Sequence, residues 1–408
     1  MSENHRMSAR GARARDRERF ERAFGDLDAP FAFVDLDAMR RNAERMLASA
    51  APKPLRIATK SVRSRALLEH LLALDSRLRG LLCFTLPEAL WLARCGFSDL
   101  LCAYPTTDRS ALRELAHSDL PEPPIVMCDS PAQLDFIERV VGTPKRPIRL
   151  CIEVDVSLPL FGGRLRIGAR RSPIRTPQQA RALAEEIARR RGFELCALMA
   201  YEAQVAGVPD LPAGKRLAAP AIAWIKRRSR AYARELREAC VAAVREVAEV
   251  SIVNGGGTGS LRTTAAEAVV TEVAAGSGFY APALFDGYRD LALEPAAFFA
   301  LPVVRKPDRT TVTLLGGGYV ASGPAGRDRL PVVHAPSGLR FDPLEGAGEV
   351  QTPLRGRAAR QLAVGDRVYL RHAKAGELCE RFDELYLLSG GRVVDKVPTY
   401  RGEGRCFL

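Results

Sequence analysis

No apolar run in the sequence approaches the roughly 20 residues that cross a bilayer as a helix, so no membrane span is expected. The first residues lack the apolar core of an export signal, and the expected location is cytoplasmic. Among the nine cysteines there is no C-x-x-C pair, which removes zinc ribbons and dithiol redox motifs. Cys83, Cys102, Cys128, Cys151 and Cys196 instead lie inside apolar stretches, the pattern of buried thiols in a reducing compartment. No low-complexity tract follows the N-terminal segment, and the chain shows no internal repeat other than the strand–helix alternation described below.

What is present is an ordinary globular composition, 47% hydrophobic and 27% charged over 408 residues, enough for two domains with cores. The net charge is +13, and arginine far outnumbers lysine. Part of the excess falls between Arg6 and Arg22, where acidic residues are interleaved and no nucleic-acid-binding motif follows. Residues 1–28 therefore read as a solvated basic helix or polar tail, with the helix around 17–24, and no nucleic-acid partner is expected. Anionic substrates or a phosphate-bearing cofactor would also suit the charge.

After a strand at 31–34, Asp35-Leu36-Asp37 opens a helix whose Met39, Ala43, Met46 and Leu47 share one face. Strand-length apolar runs then recur at 55–59, 81–85, 100–103, 125–128, 150–154, 195–200, 251–254 and 269–274. Helical patterns separate most of them, at 65–74, 87–95, 108–117, 131–141, 177–191 and 216–247; the seventh connection is short and glycine-rich. Strands apolar throughout and alternating with helices form a covered parallel sheet. Eight units predict an α/β fold of the (β/α)8 TIM-barrel type, an open doubly wound sheet being the alternative. Past Phe285 the pattern changes to β-like runs at 303–305, 310–315, 330–333, 367–370, 384–388 and 392–397 between Gly/Pro turns. The expected organisation is a tail at 1–28, a barrel at 29–290 and a C-terminal β-domain at 291–408.

Barrel enzymes place their chemistry at the C-terminal ends of the strands. Those ends are Lys60, Thr85, Tyr104, Asp129, Asp155, Tyr201-Glu202, the run Gly255-Gly256-Gly257-Thr258-Gly259 and Gly276-Ser277-Gly278. A lone lysine at a strand end is ordinarily a solvated one; the functional alternative is a Schiff-base lysine, partly desolvated to act as a nucleophile. Each glycine run by itself is compatible with a plain turn. Two such runs after the last two strands, with bare N–H groups and hydroxyls, match a phosphate cradle. Lysine and cradle together describe a pyridoxal 5'-phosphate site. Arg166, just past the fifth strand, is either a surface residue or a cation facing the pyridine nitrogen, which would keep that nitrogen unprotonated.

These residues, in this order, resemble the alanine-racemase-like, fold-type III pyridoxal phosphate enzymes, in the branch of D-threonine aldolase and D-serine dehydratase. The matching pieces are Phe33-Val34-Asp35-Leu36-Asp37 with Asn42, Ala58-Thr59-Lys60-Ser61, Glu153-Val154-Asp155 with Arg166-x-Gly168, Ala200-Tyr201-Glu202, the glycine run and Gly278-Phe279-Tyr280. In the β-domain they are Gly365-Asp366-Arg367-Val368, His372 and Gly391-Arg392-Val393-Val394-Asp395. The resemblance implies that Lys60 carries the cofactor, Arg166 faces the pyridine nitrogen, and Tyr201 lies beside the ring. It implies that Gly256, Gly257, Thr258, Gly278 and Tyr280 hold the phosphate, and that the chain forms a homodimer.

There is one departure. Aldolase and dehydratase relatives hold a divalent metal on a histidine and an acidic residue or cysteine two positions on, whereas His372 is followed by Lys374. A protonated ammonium is no metal ligand. A metal is thus left open: Lys374 takes over its electrostatic role, or a site is rebuilt from His372 with Glu377 or Cys379. The expected activity is a lyase that cleaves or dehydrates small β-hydroxy amino acids, of D configuration, with His372 as base and Lys374 beside it. The rivals are a racemase using Tyr319 as a second base and a non-catalytic cofactor-binding protein.

Overall fold

The computed structural model describes residues 3–211, 216–288, 290–324 and 326–408. Eight parallel strands pair in the spatial order Leu100–Cys102, Leu78–Cys83, Leu55–Ala58, Glu272–Ala275, Ile252–Gly255, Phe193–Ala200, Ile148–Glu153 and Val126–Cys128. A parallel bridge between Leu101 and Ile125 joins the two ends and nearly closes the barrel. Each of the eight apolar runs in the sequence corresponds to one of these strands. The last one starts later than expected, at Glu272; Thr271 just before it accepts from the Val253 N–H through its hydroxyl (2.8 Å). Among the described residues no helix is long and apolar enough to cross a membrane.

A second sheet of nine strands forms the β-domain. Its central strand is Phe31–Asp35, antiparallel to Ala297–Asp308 and parallel to Glu384–Ser389. The sequence reading grouped this strand with the barrel segment. Its alternation explains the placement: Ala32 and Val34 join the main core, while Phe31 and Phe33 enter an aromatic cluster with Phe20, Phe24, Phe298 and Tyr369. Phe20 and Phe24 come from the N-terminal helix Glu3–Ala23. Spaced one turn apart, they dock on the sheet a helix expected to be solvated. Arg19 then reaches Asp35 at 2.6 Å, and the same carboxylate caps the helix Leu36–Ala50 by accepting from the Ala38 N–H (3.1 Å).

One half of the barrel interior is apolar, built from Leu101, Ile125, Met127, Cys151 and Ala197. The other holds a buried ion pair. Arg56 on the first strand donates to Glu272 on the eighth through Nε (2.6 Å) and Nη2 (2.8 Å), and to Asp99 through Nη2 (2.7 Å). Asn254 Nδ2 donates to the same Glu272 (2.7 Å). Gly80, at φ +67°, leaves the space that the guanidinium fills. Removing one partner of a buried pair strands the other charge, at a cost of about 3–5 kcal/mol. Arg56→Met should lower the urea midpoint accordingly, and Arg56→Met/Glu272→Leu should recover most of the loss. An Arg56→Met protein as stable as the parent would show that the pair does not hold the barrel.

Candidate active site

Lys60 sits in a single 3-10 turn, Thr59–Ser61, that ends the first barrel strand. The turn is fixed from three sides. Thr59 Oγ1 donates to the Leu82 carbonyl (3.1 Å), Arg63 Nε donates to the Lys60 carbonyl (3.0 Å), and Tyr400 N–H donates to the Arg63 carbonyl (2.9 Å). Tyr400 also donates its hydroxyl to Glu88 (3.0 Å), a carboxyl that burial pushes up to about 7. With its backbone so held, Lys60 extends Nζ into a cavity of about 170 Å³ at the C-terminal ends of the strands.

Ser61, Gly256, Gly257, Thr258, Gly276 and Ser277 line the cavity. Ser61 and Ser277 share a hydrogen bond (3.0 Å), and Thr258 Oγ1 accepts from the Gly278 N–H (3.2 Å), leaving the threonine proton for another acceptor. Gly256 takes φ +88°, and a Cβ at Gly257 would lie 2.7 Å from Ala206 Cβ and 3.1 Å from the Tyr201 ring. This loop is pinned from beneath by Glu202. Its carboxylate accepts from Ser260 Oγ (2.7 Å), Thr264 Oγ1, Gly256 N–H (3.3 Å) and Arg237 Nη2 (2.9 Å). Arg237 is fully buried and also binds Glu267.

In the same cavity Lys60 Nζ donates to Tyr104 Oη (2.7 Å). The Arg171 guanidinium lies over the rings of Tyr104 (5.3 Å) and Tyr201 (5.7 Å). Burial works to raise the Tyr104 phenol, but the Lys60 and Arg171 charges outweigh it and hold the phenol below its usual value. Glu153, behind them, is pushed up to about 7 by burial. Leu284, Phe285 and Tyr288 give the cavity an apolar wall. Among the described residues its charged lining groups are Lys60, Arg171 and Lys374, with no carboxylate among them. Hydroxyls and bare backbone, an amine and aromatic walls lining one cavity fit a phosphorylated aromatic aldehyde.

The expected residues divide into two groups. Lys60, Tyr201, Gly256, Gly257, Thr258 and Lys374 line the cavity. Gly278 is one layer back. Tyr280 is fully buried and donates its hydroxyl to the Val62 carbonyl (2.8 Å), so that donor is committed away from a phosphate. Arg166 lies on the hairpin of Leu158–Leu160 and Leu165–Ile167 and is not a lining residue, although its Nη1 is buried with no hydrogen-bond partner among the described residues. Arg171 lines the cavity and was not anticipated; the sequence offers several arginines between 164 and 171, and nothing in their spacing singles it out. Tyr104 was recognisable only as a strand-end residue.

His372 is placed differently from the expectation of a base at the mouth. It is buried against the Tyr280 ring (6.1 Å, edge-on), outside the cavity lining. Burial lowers it to about 4, and the nearby Ala375 backbone makes no well-formed hydrogen bond to either ring nitrogen. Nor do the donors of a rebuilt metal site converge. Glu377 accepts from the Ser322 N–H (3.1 and 3.2 Å), and Cys379 Sγ donates to the Val62 carbonyl (3.3 Å). Among the described residues no three His, Cys, Asp or Glu side chains gather as ligands. The residues present do not fit a divalent ion. Lys374 itself holds Ser322 through Oγ (3.1 Å), and burial lowers its ammonium from the usual lysine value.

Known structures share this architecture. D-threonine aldolase from Filomicrobium marinum is 21% identical, with 92% of this chain and 96% of that chain covered and a TM-score of 0.76. D-threo-3-hydroxyaspartate dehydratase from Delftia sp. HT23 is 21% identical, over 92% and 98% of the two chains, with a TM-score of 0.68. Alanine racemase from Corynebacterium glutamicum is 17% identical, over 84% and 90%, with a TM-score of 0.56. No curated protein sequence matches the chain. The family model described as "Alanine racemase, N-terminal domain" matches residues 34–283, more than half of the chain and the whole barrel with its lysine and glycine loops. The chain therefore belongs to the alanine racemase N-terminal domain family, the fold-type III pyridoxal phosphate enzymes.

Proposed function

We propose that the protein is a pyridoxal phosphate-dependent lyase acting on small β-hydroxy amino acids of D configuration. The observation that carries this reading is the 170 Å³ cavity lined both by the Lys60 amine and by the Gly256–Thr258 and Gly276–Ser277 loops. When bound, the cofactor supplies an aldehyde that captures amines and a ring that withdraws electrons from the substrate's α-carbon. Lys60 is the amine that holds it. Thr258, Ser61 and Ser277 offer hydroxyls to the phosphate, and Gly256 and Gly257 let the backbone approach it. Arg171 is the cation beside the ring; Arg166, whose Nη1 is unpartnered but which does not line the cavity, is the donor that the resemblance assigns to the pyridine nitrogen.

Lys374 enters from the β-domain on the side of the cavity that the loops leave open. Its half-buried ammonium is placed to orient a substrate carboxylate or β-hydroxyl and to favour negative charge developing there. D-threonine aldolase and D-threo-3-hydroxyaspartate dehydratase among the structural neighbours support this substrate class. For a racemase the second base would be Tyr319. In this chain its ring packs between Phe299 (5.1 Å) and Phe382 (5.8 Å) and does not line the chain's own cavity. We also propose a homodimer: Phe161 and Leu344 are 79% and 94% exposed, apolar surface that a second copy would cover.

Incubating the cofactor-loaded protein with D- and L-threonine and D- and L-serine tests the reading. Glycine plus acetaldehyde, or a keto acid plus ammonia, is expected from the D isomers. Lys374→Ala should keep bound cofactor and lose turnover by about a hundredfold. A mirror-image amino acid as the only product would overturn the lyase assignment.

The cradle makes its own prediction. Thr258→Ala removes a donor to a charged acceptor and should weaken cofactor binding by about 1.5–3 kcal/mol. Gly257→Val should weaken it further, because its side chain would meet Ala206 and Tyr201. Equilibrium dialysis against pyridoxal phosphate reads both; wild-type affinity in both variants would place the phosphate elsewhere.

A further inference from the structure

We propose that Tyr104 is a second catalytic residue of this site: the proton partner of Lys60 when the lysine amine captures an aldehyde. The inference rests on the cofactor reading above.

The geometry is direct. Tyr104 follows the third barrel strand, Lys60 the first, and the phenol oxygen lies 2.7 Å from Nζ inside the same cavity. Neither side chain reaches solvent freely, so bulk water is a poor proton acceptor at this position. An ammonium has no lone pair and cannot bond to carbon until it gives up a proton. Of the groups lining the cavity, the Tyr104 phenol is the one hydrogen-bonded to that ammonium.

Charges from every neighbouring element bear on this phenol. Arg171, from the segment after the fifth strand, lies over its ring at 5.3 Å, and the Lys60 ammonium sits beyond the hydroxyl, 2.7 Å from its oxygen. Lys374 from the β-domain adds a third positive charge within electrostatic range. Glu153, at the end of the fifth strand, opposes them, but burial pushes its carboxyl up to about 7, so its charge is partly quenched near neutral pH. Tyr201, at the end of the sixth strand, faces the same guanidinium; burial drives its own phenol up to about 12, so it stays protonated. The three cations favour an ionised Tyr104 and leave Tyr201 as a neutral neighbour. Two phenols in one site are thereby set apart by burial and by the direct contact with Lys60.

The step balances as follows. One N–H bond of the Lys60 ammonium breaks and a Tyr104 O–H bond forms. The freed electron pair makes the bond to the aldehyde carbon of pyridoxal phosphate. The second N–H proton of the amine and the proton now on Tyr104 are available to the aldehyde oxygen, which departs as water and returns Tyr104 to its starting ionisation. No oxidant or further reactant is needed.

The test is the rate at which cofactor-free full-length protein captures added pyridoxal phosphate, followed by absorbance across a range of pH. Tyr104→Phe keeps the ring and removes only the hydroxyl. Capture by the variant should be about a hundredfold slower near neutral pH, and the gap should close as rising pH removes the lysine proton without the phenol's help. A gap that narrows with pH is the signature of a proton partner. Capture slowed by the same factor at every pH would assign Tyr104 a packing role only and overturn the inference, as would an unchanged profile. Failure of the wild-type protein to capture pyridoxal phosphate at all would instead overturn the cofactor reading, and this inference with it.

Discussion

The buried contact between Arg237 and Glu202 governs the geometry on which the site depends. Glu202 ends the sixth barrel strand, and Arg237 comes from the long helix Ala219–Arg245 outside the barrel. Both are buried, so Glu202 is tolerated beside Arg237, and Arg237 beside Glu202 and Glu267. The carboxylate has further lone pairs, and it uses them on Ser260, Thr264 and the Gly256 N–H. A glycine-rich loop with little side-chain packing of its own thus acquires one fixed shape. Tyr201, the neighbour of Glu202 in the chain, is set by the same strand end and closes the cavity beside that loop.

A comparable logic holds the lysine. Its turn is short, and a short turn at a strand end would be mobile if left alone. Here the C-terminal segment folds back over it: Tyr400 packs against Trp91 at 5.0 Å, bonds to Glu88, and takes the Arg63 carbonyl with its N–H. Asn42 makes a second tie, with Nδ2 on the carbonyls of Glu294 (2.7 Å) and Phe279 (3.2 Å). The chain is therefore joined to itself on both sides of the cavity, and Lys374 reaches the barrel from the β-domain because those joints fix where that domain sits. Binding energy for a phosphate and reactivity of an amine are properties of these supports as much as of the lining residues.

Much of this was legible in the sequence because it rests on local rules. Eight apolar runs at strand length, most of them followed by a helical pattern, leave few folds available. Lys60 and the two glycine runs stood out because they lie at strand ends, where packing does not call for them. What escaped depends on contacts between distant segments. The strand Phe31–Asp35 reads as one more apolar run, and only its pairing with residues near 300 and 386 places it in the second sheet. Arg171 is one of many arginines, and its position over two tyrosines follows from the fold of a hairpin with no distinctive pattern. His372 matched a motif, but sequence carries no information on which way a ring turns, and here it turns into the packed layer beside Tyr280.

The central claim is that Lys60 is the residue that holds the cofactor. Among the described residues two amines line the cavity, Lys60 and Lys374, so the claim has a built-in competitor. Borohydride reduction of the protein after equilibration with pyridoxal phosphate, followed by peptide mapping, decides between them. The account predicts one modification per chain, on Lys60, and none at that stoichiometry in Lys60→Ala. Label on Lys374, label scattered over surface lysines, or undiminished stoichiometric labelling of Lys60→Ala would contradict it.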